Sequence, residues 1–313
     1  MWREDEGKAG LQRAVDFVKN FDGAYDGLIR GMFAPERIET QTPDLLQETR
    51  RYADELGVPV RLHAAQGNYE FFEILKRHKK TPIQYLYDLG FLGAMVSIPH
   101  MTYINTYKKV GLQTPVDDLD LIRESQTTAI HCPLVMAQHS EFLETFSRYK
   151  RAGVRLALGT DTFPPDIIKN IFIGSYLSRV LEGSTQDCTF ADYFRTATLG
   201  GAQALNRDDL GKLAPGAKAD MIIIDMSGFH LGPLDDPIRT FMLSGSGRDV
   251  RTSITNGKIV MQDREITGID LPAIQEQGQN YYQKLRQSYR VRANQDLPEE
   301  EFFPPSFKMY YRR

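Results

Sequence analysis

Four polar residues stand at the carboxyl ends of short apolar runs. His63 closes VPVRLH, His100 closes FLGAMVSIPH, His131 lies in TTAIHCP and Asp161 closes VRLALGTD. They are 37, 31 and 30 residues apart, the pitch of one strand-helix unit. Imidazole and carboxylate are borderline donors suited to Zn²⁺ or Fe²⁺, and a cation so held lowers the pKa of bound water to about 7. The chemistry implied is hydrolysis. A lone histidine at a strand end is more often packed or surface-exposed, whereas four in register point to one site. Around them, Gln66 either hydrogen-bonds at the site or is a solvated loop residue, and Glu70 in YEFFEILKRH reads as an exposed helical carboxylate. His139 lies before a helix start and is balanced between site rim and surface. His78 and His230 read as solvated.

The elements that must position these groups follow one grammar between residues 27 and 162. Each unit is an apolar run, a polar residue and a helix opened by a hydroxyl. Thr42-Pro43, Thr81-Pro82 and Thr114-Pro115 place a capping side chain before a proline suited to the first helical position. After the first, Leu45, Leu46, Tyr52, Ala53 and Leu56 share one helical face, ended by Gly57. GLIRGMFAP is an earlier strand of the same series. Strands alternating with helices build a parallel sheet, and in a closed βα-barrel all carboxyl ends meet on one face, so the four polar groups would converge. No GxGxxG or phosphate loop favours an open doubly wound sheet.

Beyond residue 162 the pattern changes. Pro165 to about Leu181 is helical, Thr189-Phe-Ala-Asp192 opens a helix towards Leu205, and LGKLAPGAKADMIIID gives a turn and a buried strand. VRTSITNGKIVM is two β runs around Asn256-Gly257, a hairpin signal. QEQGQNYYQKLRQSYRVR reads as a polar helix, and the last ~15 residues, with Pro304-Pro305, as irregular or held by a partner surface. The 313 residues carry 38 Lys+Arg against 41 Asp+Glu, a net charge of −3. That balance argues against nucleic acid or a polybasic membrane contact, and no run is apolar enough for a membrane span. Two cysteines, Cys132 and Cys188, offer neither a disulfide framework nor a CxxC site, which fits a cytoplasmic protein.

His63-Ala-Ala-Gln66, Ile98-Pro-His100, His131-Cys-Pro133, Leu158-Gly-Thr-Asp161 and the stretch Leu213–Asp220, in this order, resemble the amidohydrolase superfamily. The likeness is to its mononuclear-metal branch of cytosine, guanine and triazine deaminases and chlorohydrolases, over about Ala34 to Ile266. The resemblance implies an α/β fold, an incomplete TIM-type (β/α)8 barrel from about strand 4 to strand 8 with part of a small β-sandwich. The expected division is barrel at 1–205, sandwich portion at 206–268, and helix and tail at 269–313. It also implies that His63 and Asp161 bind one divalent metal, Zn²⁺ ahead of Fe²⁺. Asp161 would shuttle a proton, and His100 would orient the substrate or attacking water.

Two departures stand out. The family's first barrel strand ends in a metal-binding HxH, and this chain has none, so it reads as the carboxy-terminal two-thirds of a longer enzyme whose open sheet edges would promote insolubility, association or inactivity when alone. Gln66 stands where deaminases of this branch carry a proton-donating glutamate, which counts against simple aromatic deamination. The expected function is a metal-dependent hydrolase acting on a C–N or C–halogen bond of a small nitrogen heterocycle or cyclic amidine. A dinuclear cyclic amidase would need a bridging lysine that GLIRGMFAP lacks, and the alternative is a catalytically inactive fragment or scaffold. A homo-oligomer is left open. Phe33, Tyr103 and Phe163 are candidates for an aromatic pocket wall.

Overall fold

The computed structural model describes residues 4–307 except 113, 144–145, 162 and 294–296. Its first layer is a parallel sheet of β1 (Val60–Arg61), β2 (Val96–Pro99), β3 (Thr128–His131) and β4 (Arg155–Leu158), in that order. Register runs Val60 opposite Val96, Ser97 opposite Thr128 and Thr128 opposite Arg155, so successive strands sit side by side without offset. GLIRGMFAP does not form a full strand. It touches β1 through one bridge, Phe33 to Val60, and continues alongside it at Arg37 to His63.

Helices between the strands form as their caps predict. Thr42 accepts from Leu45 N to start Pro43–Leu56, and Gly57 ends it at φ +66°. Thr81 and Gln84 form a reciprocal capping box for Pro82–Asp88. Thr114-Pro115 is a correction, because the next helix, Asp118–Ser125, is capped by Asp117. Thr114 Oγ1 instead donates to Val116 O at 2.7 Å and accepts from Asn105 Nδ2 at 2.6 Å, a loop brace that leaves no free oxygen for a cap. Buried Asp118 ties the same loop down, accepting from Thr81 Oγ1 and Asn105 N. Burial pushes its carboxyl up to about 6 despite those donors.

The core sits between this sheet and its helices, with Leu46, Leu62, Phe71, Ile83, Leu86, Phe91 and Ile98 among its fully buried side chains. Phe33 and Tyr103 belong to that core, so neither is a free pocket wall, and Phe163 is 86% exposed. The helix Ile167–Glu182 and the capping box of Thr189 and Asp192 follow as expected. Thr196–Gly200 is a π-helical turn that leads into Gly201–Ala204 and packs on the edge of β4. Gly200 is needed there, since a Cβ would lie 2.1 Å from Leu156 O.

A second, antiparallel sheet comprises β5 (Met221–Ile224), β6 (Val250–Thr255), β7 (Lys258–Gln262) and β8 (Glu265–Ile266). Asn256 and Gly257 turn the hairpin at φ +49° and +78°, the pair of left-handed residues that a tight two-residue loop requires. β5 is not the buried strand expected from its Met-Ile-Ile-Ile run. Ile222 and Ile223 point to opposite faces and are both about half exposed, and of the four residues of β5 it is Ile224 that packs against the core. A polar helix, Leu271–Arg292, follows. Glu299–Phe302 then adds a short helical turn within the tail expected to be irregular, and residues 308–313 of that tail lie outside the described residues. Among the described residues no helix is long and apolar enough to cross a membrane.

Candidate active site

The carboxyl ends of β1, β2 and β4 bring three of the four expected groups together. One ligand atom each from His63, His100 and Asp161 lie within 4.8 Å of one another. The His63 and His100 rings stack at 5.6 Å, and His100 Nε2 is 3.3 Å from Asp161 Oδ2. The backbone is tightly turned here. Glu36, Ala65, His100 and Asp161 all have positive φ, at +33°, +54°, +68° and +44°, a conformation that costs non-glycine residues of order 1–3 kcal/mol each. Such a cluster needs support. Ala65 O accepts from both Thr102 N and Tyr103 N, His100 N donates to Ile130 O, and Tyr149 Oη donates to Met101 O at 2.6 Å.

Glu70 is part of that support and corrects the expectation of a solvated carboxylate, being 2% exposed. Its Oε1 accepts from Ala65 N at 2.7 Å and its Oε2 from Gln66 N at 2.8 Å. Two backbone donors that the left-handed turn takes away from the sheet ladder are thereby satisfied. Burial nevertheless pushes the Glu70 carboxyl up to about 7.

His131 does not join the trio. It is the last residue of β3, paired with Leu158, and its ring packs among Phe142, Phe146 and Tyr193 in the helical layer. Alternation along the strand decides this. Cys132, its neighbour, faces the Asp161 side instead, where burial and that carboxylate push its thiol up to about 12. Both ring nitrogens of His131 are buried without a hydrogen-bond partner, and burial drives its pKa down to about 3, so the ring is neutral. His139 is exposed, its Nδ1 bonded to Val135 O. His78 stacks on Tyr85 at 3.9 Å and His230 bonds Asp249, so neither is simply solvated and neither reaches the trio.

The trio fits a divalent cation. His63 Nδ1 lies 2.8 Å from Glu36 O, which fixes the proton on Nδ1 and leaves the Nε2 lone pair free. His100 is buried, burial holds its pKa near 4, and its nitrogens form no aligned hydrogen bond, even towards the carboxylate 3.3 Å away. A neutral imidazole and a carboxylate in such an approach lack a positive charge between them. The donor set of two imidazoles and one carboxylate suits Zn²⁺. The Asp161 side chain is about half exposed, so the trio opens to solvent. The cavity of about 280 Å³ lined by Arg30, Pro59 and Leu205 lies at the opposite ends of the strands.

Gln66 sits on the same turn as His63. Its Oε1 accepts from Arg37 Nη2 at 3.0 Å, and Arg37 Nε donates to Glu39 Oε1 at 2.9 Å. Arg37 and Glu39 escaped the reading of the sequence, because their segment lacks the strand periodicity that marks the other units.

Many known proteins are similar to this chain in sequence or in fold. A 5-methylthioadenosine/S-adenosylhomocysteine deaminase of Halobacterium salinarum is 29% identical over 273 residues, covering 86% of this chain and 61% of that protein. A 5'-deoxyadenosine deaminase of Methanosarcina acetivorans is 27% identical over 289 residues, covering 91% and 64%. The chain therefore spans about three-fifths of the length of the curated relatives it matches. Among solved structures, a zinc-bound adenosine deaminase from Xanthomonas campestris superposes with a TM-score of 0.79 at 24% identity, covering 88% of this chain and 61% of that one. A zinc complex of an atrazine chlorohydrolase from Arthrobacter aurescens gives 0.76 at 16% identity, covering 88% and 60%. These two show a shared fold. The model of the amidohydrolase family matches residues 4–260, most of the chain and every strand end that carries the trio. This chain belongs to the amidohydrolase family.

Proposed function

We propose that this chain carries the candidate site of a metal-dependent hydrolase acting on a C–N or C–halogen bond of a small nitrogen heterocycle or cyclic amidine. In this reading residues 1–205 supply strands of an incomplete barrel, 206–268 part of a sandwich, and 269–313 a helix and tail. The observation that carries it is the trio of His63, His100 and Asp161, gathered from three separate strand ends. His63 and Asp161 would hold one divalent cation, Zn²⁺ ahead of Fe²⁺. When bound, that ion supplies Lewis acidity, making water a nucleophile near neutral pH.

The residues of the chain divide the rest of the work. Asp161, half exposed at the rim, takes the proton that water releases as it attacks the ring carbon. His100, buried and neutral, orients the electrophile by a hydrogen bond to a ring atom. Its low pKa serves this role, since a protonated ring would repel the cation and lose its acceptor. Gln66 hydrogen-bonds the ring or its leaving group. Glu70 and the left-handed turn hold Gln66 and His63 in place. The relatives named as adenosine-derivative deaminases and the chlorohydrolase neighbour make purine and triazine rings the substrates to try first. The two buried, unpaired cysteines fit a reducing cytoplasm.

The experiment is metal analysis and turnover of the intact enzyme carrying this chain, with His63→Ala and Asp161→Asn alongside. Stoichiometric zinc that both variants reduce, with hydrolysis of a chloro- or amino-heterocycle, is expected. Unchanged zinc content in both variants would remove these two residues from the metal site. Stoichiometric zinc with no turnover of any ring compound would leave the inactive scaffold as the better reading.

A further inference from the structure

Beside the trio, Gln66 is held through two residues to which the hydrolytic step gives no role, Arg37 and Glu39. Arg37 runs alongside His63 in parallel register and reaches across to Gln66 Oε1. Arginine has donors only, so Gln66 must turn its carbonyl oxygen to Arg37, and the group it can offer to anything else is its Nε2 amide, a donor. The arrangement is fixed from behind. Glu39 is 13% exposed, holds Arg37 through one carboxylate oxygen, and has its other oxygen buried without a partner. Glu70 does not take the part of a leaving-group acid, being 2% exposed with both oxygens turned to the backbone N–H groups of Ala65 and Gln66.

We propose that Arg37 and Gln66 set the leaving-group specificity of this site, selecting heterocycles whose leaving group departs as a hydrogen-bond-accepting anion (halide, alkoxide or thiolate) over those that lose an amine. The proposal rests on the hydrolytic reading above and narrows it. In the step, the water oxygen bonds to the ring carbon and its proton passes to the Asp161 carboxylate. The carbon–leaving-group bond then breaks, its electron pair going to the leaving atom, which departs as an anion towards the Gln66 Nε2 donors and the field of Arg37. An amine leaving by this route must gain a proton as its bond breaks. Neither a glutamine amide nor a guanidinium supplies one near neutral pH. Arg37 touches Gln66 and not the reacting atoms, so it is a positioning residue.

The test uses the zinc-loaded intact enzyme and two matched pairs, 6-chloropurine ribonucleoside against adenosine, and a 2-chloro-s-triazine against its 2-amino counterpart. The ratio is read in whichever ring is turned over. The wild type should prefer the chloro compound by about 100-fold or more in kcat/KM, and Arg37→Met should lower kcat for that compound by about 10-fold with KM within about threefold. Arg37→Lys should restore part of the loss, and Gln66→Glu should shift the ratio towards the amine by about 10-fold or more. A readout independent of turnover is the calorimetric dissociation constant of the same ring bearing hydrogen at the reacting carbon. Gln66→Glu should weaken it by about 10-fold, because a carboxylate then faces a ring acceptor. A wild-type preference for the amine, or a ratio unmoved by Arg37→Met, Arg37→Lys and Gln66→Glu, overturns the proposal. Absence of turnover in every protein, with zinc bound, defeats the hydrolytic reading instead. The calorimetric arm then still decides whether Gln66 is a donor at the site, and equal binding by wild type and Gln66→Glu would refute that too.

Discussion

The two sheets of this chain carry similar apolar sequence and opposite burial. In β2 all four residues of Val-Ser-Ile-Pro are buried, Ser97 included. In β5, Met-Ile-Ile-Ile is more hydrophobic, yet Ile222 and Ile223 are 51% and 52% exposed. The difference lies in what covers them. Helices opened by Thr42, Thr81 and Asp117 close over the parallel sheet, whereas β5 to β8 pair only with one another at their edges and find no full second layer within the described residues. An apolar run therefore specifies a strand, and a packed partner layer specifies burial. The parallel sheet can also carry strained, charged groups at its ends because its own core holds it rigid. The turn between β7 and β8 also holds strained charged residues, Asp263 and Arg264 at φ +50° and +68°, but these are ion-paired with Arg251 and Asp225 and gather no imidazole.

The largest expected contrast is chemical. Asp161→Asn should lower kcat/KM of the intact enzyme by about 10³-fold or more, since a proton acceptor and a proposed ligand are lost together. Asp225→Asn, on the antiparallel sheet, should leave kcat/KM within about twofold; steady-state kinetics on the two variants checks the pair. An equal effect of both would dissolve the distinction between the sheets as regards function.

Stability should split the same way. Ile98→Ala removes a fully buried side chain and should cost about 2–5 kcal/mol in urea unfolding, while Ile222→Ala should cost less than about 1 kcal/mol. A large loss from Ile222→Ala would mean that β5 is covered in solution.

A smaller effect concerns pH. Glu70, unfolded, titrates near 4.5, and burial raises it to about 7 in the fold. Between those values the unfolded chain is ionised while the native state holds its proton, so ionising Glu70 in place opposes folding as pH rises. This contribution is absent below about pH 4.5 and complete above about pH 7, with an upper bound of about 3 kcal/mol. Glu70→Gln should flatten that part of the stability-pH curve, measured by urea unfolding from pH 4.5 to 7.5, and Asp118, raised to about 6, should leave a residual slope. A variant whose curve keeps the wild-type slope would show that Glu70 is not the group responsible.

The smallest change is expected from Ile222→Thr with Ile223→Thr, neutral to within about 1 kcal/mol in the fold yet reducing self-association in sedimentation velocity, because exposed apolar strand surface is a template for contact between chains. Unchanged association would place the sticky surface elsewhere.

Much of the site was legible because its chemistry repeats with the period of the fold. His63, His100 and Asp161 each follow an apolar run, His100 one strand-helix unit after His63 and Asp161 two units after His100. His131 shares both features and still turns away, because it is the last residue within β3 and its side of the pleat faces Phe146 and Tyr193. Glu70 was misread as solvated for a related reason: a helical position shows its spacing in the sequence, and only the approach of Ala65 N and Gln66 N makes it a buried acceptor. Thr114-Pro115 matched the local form of a cap, but Asn105 and Val116 engage its hydroxyl first.

What the sequence determined by itself is what depends on neighbours along the chain: the strand-helix alternation, the caps at Thr42, Thr81 and Thr189, the Asn256-Gly257 turn, and the residue types at the strand ends. The tertiary structure decided what depends on neighbours across it. It selected three of four polar strand ends by the phase of the pleat and exposed β5 by leaving it without a full second layer. It also brought Arg37, from a segment with no strand pattern, against Gln66, 29 residues away. Local propensity is set by backbone sterics within a few residues, whereas burial and long-range hydrogen bonds exist only once the layers have packed.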